Sequence, residues 1–394
     1  MKIQKINFKL AKNYALYIFL ITGLSSLMGF AQATNPAKVL PSKIEVLEQI
    51  NKSNTYWQRN NKPEMRSFWD HAAYHTGNME AYEITKNEAY RSYSEAWAVH
   101  NKWMGAKGAD KSKWKYKYGE TDDDVLFGDW QICFQTYIDL YDLHPEPHKI
   151  ARAKEVMDYQ MSTDATDYWW WADGLYMVMP VMTKMYKLTA KRQYLDKLYI
   201  YFNYANSIMY DPKARLYYRD AKYVYPKHKT ANGRKDFWAR GDGWVFAGLA
   251  RVLKDLPEND PHREEYLAKF RKMAKAIVRS QQSGGYWTRS MLDPEHAPGP
   301  ETSGTAFFTY GLFWGINNGI LKSGKYLPPA LKAYNYLSQT AFQANGKVGY
   351  VQPIGEKAIP GQVVDANSTA NFGVGAFLLA NCELYRFLII NESI

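Results

Sequence analysis

Residues 167–180, "DYWWWADGLYMVMP", set three consecutive tryptophans just ahead of Asp173. On a helix through this stretch, Trp169 and Trp170, four and three residues before Asp173, lay indole surface on the carboxylate's own face. Such a wall desolvates the acid, disfavours its charged form and keeps it protonated for donation. Asp173 is therefore a candidate general acid and Trp170 a candidate substrate contact; the plainer alternative is a helix cap. Asp129, after the acidic run "TDDDVLFG", offers a second carboxylate. Paired acids are what glycosidic chemistry uses, although an ordinary cap explains Asp129 equally well at this level.

Arg240 and Trp244 in "WARGDGW" are four apart and share a helical face. A guanidinium beside an indole suits a sugar carboxylate, held bidentately while the ring stacks on C–H surface; an Arg–Trp packing pair is the bland reading. The preceding loop, "YVYPKHKTANGRKDF", adds Lys227, His228, Lys229 and Lys235 as a basic rim. His71 and His75 have the spacing of a zinc pair, but no Glu, Cys or third His stands near enough to complete a site, so no metal is expected. Phosphate loops, GxSxG elbows and HExxH motifs are missing, which leaves carbohydrate hydrolysis by carboxylates as the economical chemistry.

Positioning these groups requires helices, and their pattern is regular. Apolar segments rich in Gly, Ala and aromatics at 68–85, 127–141, 170–189, 237–256, 303–321 and 370–388 alternate with amphipathic ones near 41–58, 87–104, 147–161, 193–210, 262–282 and 326–343. Six inner and six outer helices predict an all-α fold, an (α/α)6 barrel; a superhelical solenoid is the competing architecture. In the barrel, the starts of the inner helices share one mouth. Asp70 and His71, Asp129, Asp173, Arg240 and Asp242, and Glu301 to Ser303 all fall there, so Ser303 joins the candidate substrate contacts along with His71 and His228.

The first 31 residues read as a secretory signal: four lysines, an apolar run, then small residues with a cut near Ala31. The run is shorter than the roughly 20 residues a spanning helix needs, so a membrane role after cleavage is not expected. Residues 32–394 then form one catalytic domain, exported to the periplasm or secreted. Losing the signal lowers the formal charge from +11 to about +7. That excess suits an anionic substrate, while the lack of a Lys/Arg-rich tract argues against nucleic acid. Cys133 and Cys382 lie in apolar helices and are expected to be buried free thiols.

With these segments assembled, the chain resembles the unsaturated uronyl hydrolases of glycoside hydrolase family 105, relatives of family 88. The resemblance runs from about residue 65 to 388 through "DWQICFQTYIDLY", "WWWADGLYM", "FWARGDGWVFAGLARVL", "PETSGTAFFTYGLFWGINNGIL", "GYVQPIG" and "GVGAFLLA". It implies an (α/α)6 barrel that removes the 4,5-unsaturated uronic acid a polysaccharide lyase leaves at a non-reducing end. Asp173 matches the acid/base that protonates C4, Asp129 the second aspartate that holds the sugar, and Arg240 with Trp244 the pair lining the uronate pocket. No metal or organic cofactor is implied. The chain departs from the pattern at Gly128-Asp129-Trp130-Gln131, at Asp242 where Asn is usual, at "WDHAAYHTGN" and at His228. Rhamnose is the expected neighbouring sugar. The basic loop and the histidines favour sulfated ulvan fragments over pectic ones; a lyase, an ordinary hydrolase or a glycan-binding protein on the same barrel are the alternatives.

Overall fold

A computed structural model describes residues 40–392, so the signal expected over 1–31 lies outside the described residues. From Pro41 onward the chain is one compact unit. Its helices are α1 (Lys43–Asn60), α2 (Trp69–Thr85), α3 (Glu88–His100), α4 (Gly128–Gln131), α5 (Cys133–Leu143), α6 (His148–Ser162), α7 (Ala172–Thr189), α8 (Gln193–Met209), α9 (Ala239–Asp255), α10 (Arg263–Arg279), α11 (Thr302–Asn317), α12 (Ser323–Tyr336) and α13 (Asn371–Glu392). A two-stranded hairpin, β1 (Tyr210–Asp211) and β2 (Leu216–Tyr217), follows α8.

Twelve helical rods result once α4 and α5 are counted as one inner helix broken at Ile132. The inner ring runs α2, α4/α5, α7, α9, α11, α13, and α13 packs back on α2. That last contact decides for a closed barrel over a solenoid. It depends on two glycines: a Cβ on Gly77 would lie 2.2 Å from the Gly375 carbonyl oxygen, so the first and last inner helices meet backbone to backbone. The outer helices behave as amphipathic covers, with α1 capped by the reciprocal Ser42–Glu45 pair. Helix α13 has the length and hydropathy of a membrane span, yet it is a wall of the barrel with 78% of its apolar window buried in the fold. Cys133 and Cys382 are free and buried, as expected.

Candidate active site

The starts of the inner helices repeat one arrangement. The second residue of each of the six is, in order, Asp70, Asp129, Asp173, Arg240, Ser303 and Phe372. Four of these helices open after an aromatic residue whose side chain caps nothing, and after three of those, Phe68, Phe127 and Trp171, an aspartate stands two places on. The capping alternative for Asp129 and Asp173 therefore falls away. Asp129 Oδ1 and Asp173 Oδ2 are both buried without a hydrogen-bond partner among the described residues.

Their electrostatics follow from that burial. Desolvation pushes the Asp129 carboxyl well above its ordinary range, and the charges of Asp173, Glu120 and Asp70 add to the rise against Arg219. Asp173 is raised too, mainly by burial, with Arg219 and Arg240 pulling the other way. The Asp173 charge thus disfavours ionisation of Asp129 beside it. A cavity of about 410 Å³ lies at the opposite end of the barrel among Glu80, Asp139, Lys184, Arg251 and Lys254. Those charges pair with one another, as Glu80 does with Arg251 and Lys254, and Asp139 with Lys184.

The aromatic cluster at the start of α7 is built differently from the helical spacing. Helix α7 begins only at Ala172, with extended backbone at Trp171. Trp169 is buried against Tyr201, away from the first turn of α7. The Trp171 ring edge lies 3.1 Å from where a Cβ on Gly128 or Gly174 would sit, so it wedges between the helices bearing Asp129 and Asp173. Trp170 is half-buried, 4.7 Å from the Trp171 ring, and donates to the Tyr116 carbonyl.

Arg240 does not present a bidentate face to the mouth. Its guanidinium is fully buried, donates to the carbonyls of Gln352 at 2.6 Å and Pro353 at 2.8 Å, and lies between Trp238 and Phe372 at 4.6 Å from each ring. Desolvation lowers its pKa to about 10. Trp244, expected beside it, is fully buried against Tyr176 and Phe307 in the barrel interior. Ser303 is also inaccessible; its hydroxyl donates to Glu301, which caps α11. His71 sits between Asp70 and Asn371 at the ring closure, and burial holds its imidazole below the ordinary range despite Asp70. His75 stacks on Trp97 at 3.9 Å and meets Ser94, a core histidine. His228 is engaged by Asp236 at 3.0 Å, which in turn takes the Ser290 hydroxyl, so it anchors its loop.

Arg219 is the site residue that sequence reasoning missed. An antiparallel bridge joins Trp171 to Asp220, and the Ala172 amide donates to the Arg219 carbonyl at 2.7 Å. This lays Arg219 beside the start of α7, with Nε 3.5 Å from Asp173 Oδ2. Its guanidinium sits 5.8 Å over the Trp170 ring. Asp242 supports the approach, since its Oδ1 accepts the Tyr217 amide at 2.8 Å and so pins β2.

Comparison with known proteins now bears on this geometry. The family model for Glycosyl Hydrolase Family 88 matches residues 42–388. The chain belongs to that family. It is a glycosidase on an α/α barrel. An unsaturated 3S-rhamnoglycuronyl hydrolase of Formosa agariphila is 33% identical over 335 residues, covering 81% of this chain and 84% of that protein. A solved family 88 protein from Bacteroides vulgatus is 61% identical with a TM-score of 0.87, covering 88% of this chain and all of that one. Another solved structure, named as a polysaccharide lyase, is 67% identical at the same TM-score of 0.87 and covers 90% and 99% of the two chains. Family 105, the group the motifs resemble, enters as a structural neighbour: a possible member from Salmonella enterica gives a TM-score of 0.70 at 19% identity, which speaks to the fold alone.

Proposed function

We propose that this glycosidase removes the 4,5-unsaturated uronic acid from the non-reducing end of lyase-generated oligosaccharides in which rhamnose is the neighbouring sugar. The observation that supports this most is the pair of buried carboxyls at the starts of α4 and α7, each with one oxygen that lacks a hydrogen-bond partner among the described residues and both with a raised pKa. Carbon accepts protons poorly, so an enol ether needs an acid that is protonated and dry. Asp173 gives its proton to C4, water adds its oxygen at C5, and the water's proton returns to Asp173. The hemiketal so formed opens and the aglycone leaves. Asp129 holds the sugar by hydrogen bonding. The name of the Formosa relative favours 3-sulfated rhamnose in the next position, as in ulvan fragments, with pectic rhamnogalacturonan fragments second. Export to the periplasm or beyond would place the enzyme where an upstream lyase supplies substrate.

A lyase is the second reading, because a solved relative at 67% identity carries that name. A lyase must withdraw a proton, and acids held protonated by burial suit donation instead. Incubation with lyase-generated ulvan and pectin oligosaccharides, followed by ultraviolet absorbance, tests both. Hydration consumes the enol-ether band; a lyase makes it grow on uncut polymer. Growth, or binding without change, would overturn the proposal.

A further inference from the structure

Arg219 has two unlike partners. Asp220 is buried and accepts from its Nη1 at 2.7 Å while also capping the Lys222 amide, so it orients Arg219 from behind. Glu356 comes from the segment after Pro353 and leaves 44% of its side chain exposed. It reaches Arg219 Nη1 at 3.3 Å, Lys222 Nζ at 3.4 Å and the Tyr223 hydroxyl at 2.5 Å. Burial opposes its charge, but Tyr223, Arg219 and Lys222 together hold the carboxyl below its usual range. A carboxylate gripped by three partners beside a candidate acid is placed as a ligand would be. Arg219 Nε, meanwhile, is buried without a hydrogen-bond partner among the described residues.

We propose that Arg219, Lys222 and Tyr223 form a carboxylate seat beside Asp173, that Glu356 occupies it in the free protein, and that the substrate's uronate carboxylate displaces Glu356. This rests on the reading of the protein as an unsaturated uronyl hydrolase. The carbon that receives the proton is two bonds from the carboxylate carbon, so a seat bordering Asp173 fits that group. A sulfate on the neighbouring sugar lies across the glycosidic bond. Charge agrees: two cations face Asp220 and Glu356, and departure of Glu356 leaves one positive charge for one incoming carboxylate. Trp170, under the guanidinium, walls the seat on its other side.

The test is steady-state hydration of an unsaturated uronyl-rhamnose disaccharide as the free acid and as its methyl ester, each with and without sulfate on rhamnose. Glu356→Gln is expected to lower KM for the free acid about twofold to fivefold, the span of one released ion pair, and to give no gain on the ester. Arg219→Ala is expected to raise KM for the free acid at least tenfold and to act much less on the ester. Equal losses on acid and ester would mark Arg219 as merely structural and overturn the seat. So would an unchanged KM for Glu356→Gln, or a gain confined to sulfated substrates. Each of these outcomes presupposes turnover by the wild-type protein; failure of that protein to hydrate any of the four substrates overturns the function proposed above instead.

Discussion

Arg219 Nε stands 3.5 Å from Asp173 Oδ2, and the two are joined through backbone, because Asp220 bridges to Trp171 and the Ala172 amide donates to the Arg219 carbonyl at the start of α7. The guanidinium lowers the Asp173 pKa while burial raises it, and burial prevails. Asp173 thus has a raised pKa with a cation at hand.

Asp173→Asn is expected to cut turnover by about 10² to 10⁴, the usual worth of a positioned acid, without changing the unfolding temperature downward. Because the protonated form is the active one, kcat/KM should fall as pH rises through the raised pKa of this acid. Near-normal turnover by the Asn variant, or a rate that climbs through that limb, would remove Asp173 from its role.

Asp242 is fully buried, burial pushes its carboxyl well above the ordinary range, and its Oδ2 has no partner among the described residues. A group whose folded pKa is raised contributes stability below its unfolded pKa and loses that contribution as pH climbs through the folded one. Asp242→Asn keeps the acceptor for the Tyr217 amide and removes the titration. Its unfolding temperature should match wild type near pH 4 and exceed it by about 2 to 4 °C at pH 8. Thermal scans across that range decide the matter.

Gly77→Ala forces a Cβ to within 2.2 Å of a backbone oxygen on α13 and is expected to cost about 3 kcal/mol or more. Gly324 in α12 has open space around its Cβ position and is exposed. Gly324→Ala should gain about 0.5 to 1 kcal/mol from helix propensity. Denaturant unfolding of the two variants thus separates ring closure from a generic glycine effect.

The far end of the barrel is held by Glu80, paired with Arg386 at 2.6 Å, Lys254 at 3.2 Å and Arg251 at 3.6 Å. Burial would raise its pKa, but Lys254, Arg386 and Arg251 hold it well below the ordinary range. Its stabilising contribution is present above the unfolded pKa of about 4.3 and is lost as pH falls below it. Glu80→Gln strands buried cations and should cost about 3 to 5 kcal/mol at pH 7, with a smaller deficit at pH 3. Unfolding measured at both values checks the sign.

The barrel was legible because its determinants are local: periodicity, Gly and Ala on inner helices, charge on outer ones. The shared placement of Asp129, Asp173 and Arg240 at the second position of an inner helix was legible for the same reason, although burial seals that position at Arg240 and Ser303. What failed was contact across sequence. Helical spacing placed Trp169 and Trp170 beside Asp173, whereas Trp171 ends an extended segment bridged to Asp220 and itself fills the space between two helices. Arg219 reaches the site through that bridge, and neither the short hairpin before it nor "YYRDAKY" signals where the strand will pair. Similarly, burial reversed the readings of Ser303 and Trp244, whose types suit a sugar but whose positions are sealed.

Arg240 offers the sharpest separation between a residue that binds and one that builds. Its two terminal nitrogens each donate to a carbonyl, of Gln352 and of Pro353, while its buried Nε has no hydrogen-bond partner among the described residues, so it fixes the segment that leads to Glu356. A uronate ligand would lose more with the free acid than with its methyl ester when shortened to lysine. A strut should lose equally on both, since a lysine cannot bridge two carbonyls in the same fork whatever the substrate carries. Arg240→Lys is therefore expected to lower kcat/KM by about tenfold on acid and ester alike and to reduce the unfolding temperature. Paired with Arg219→Ala, whose loss should track the substrate's charge, the comparison places anion recognition on one arginine and architecture on the other. A charge-dependent loss at Arg240 would return it to the pocket.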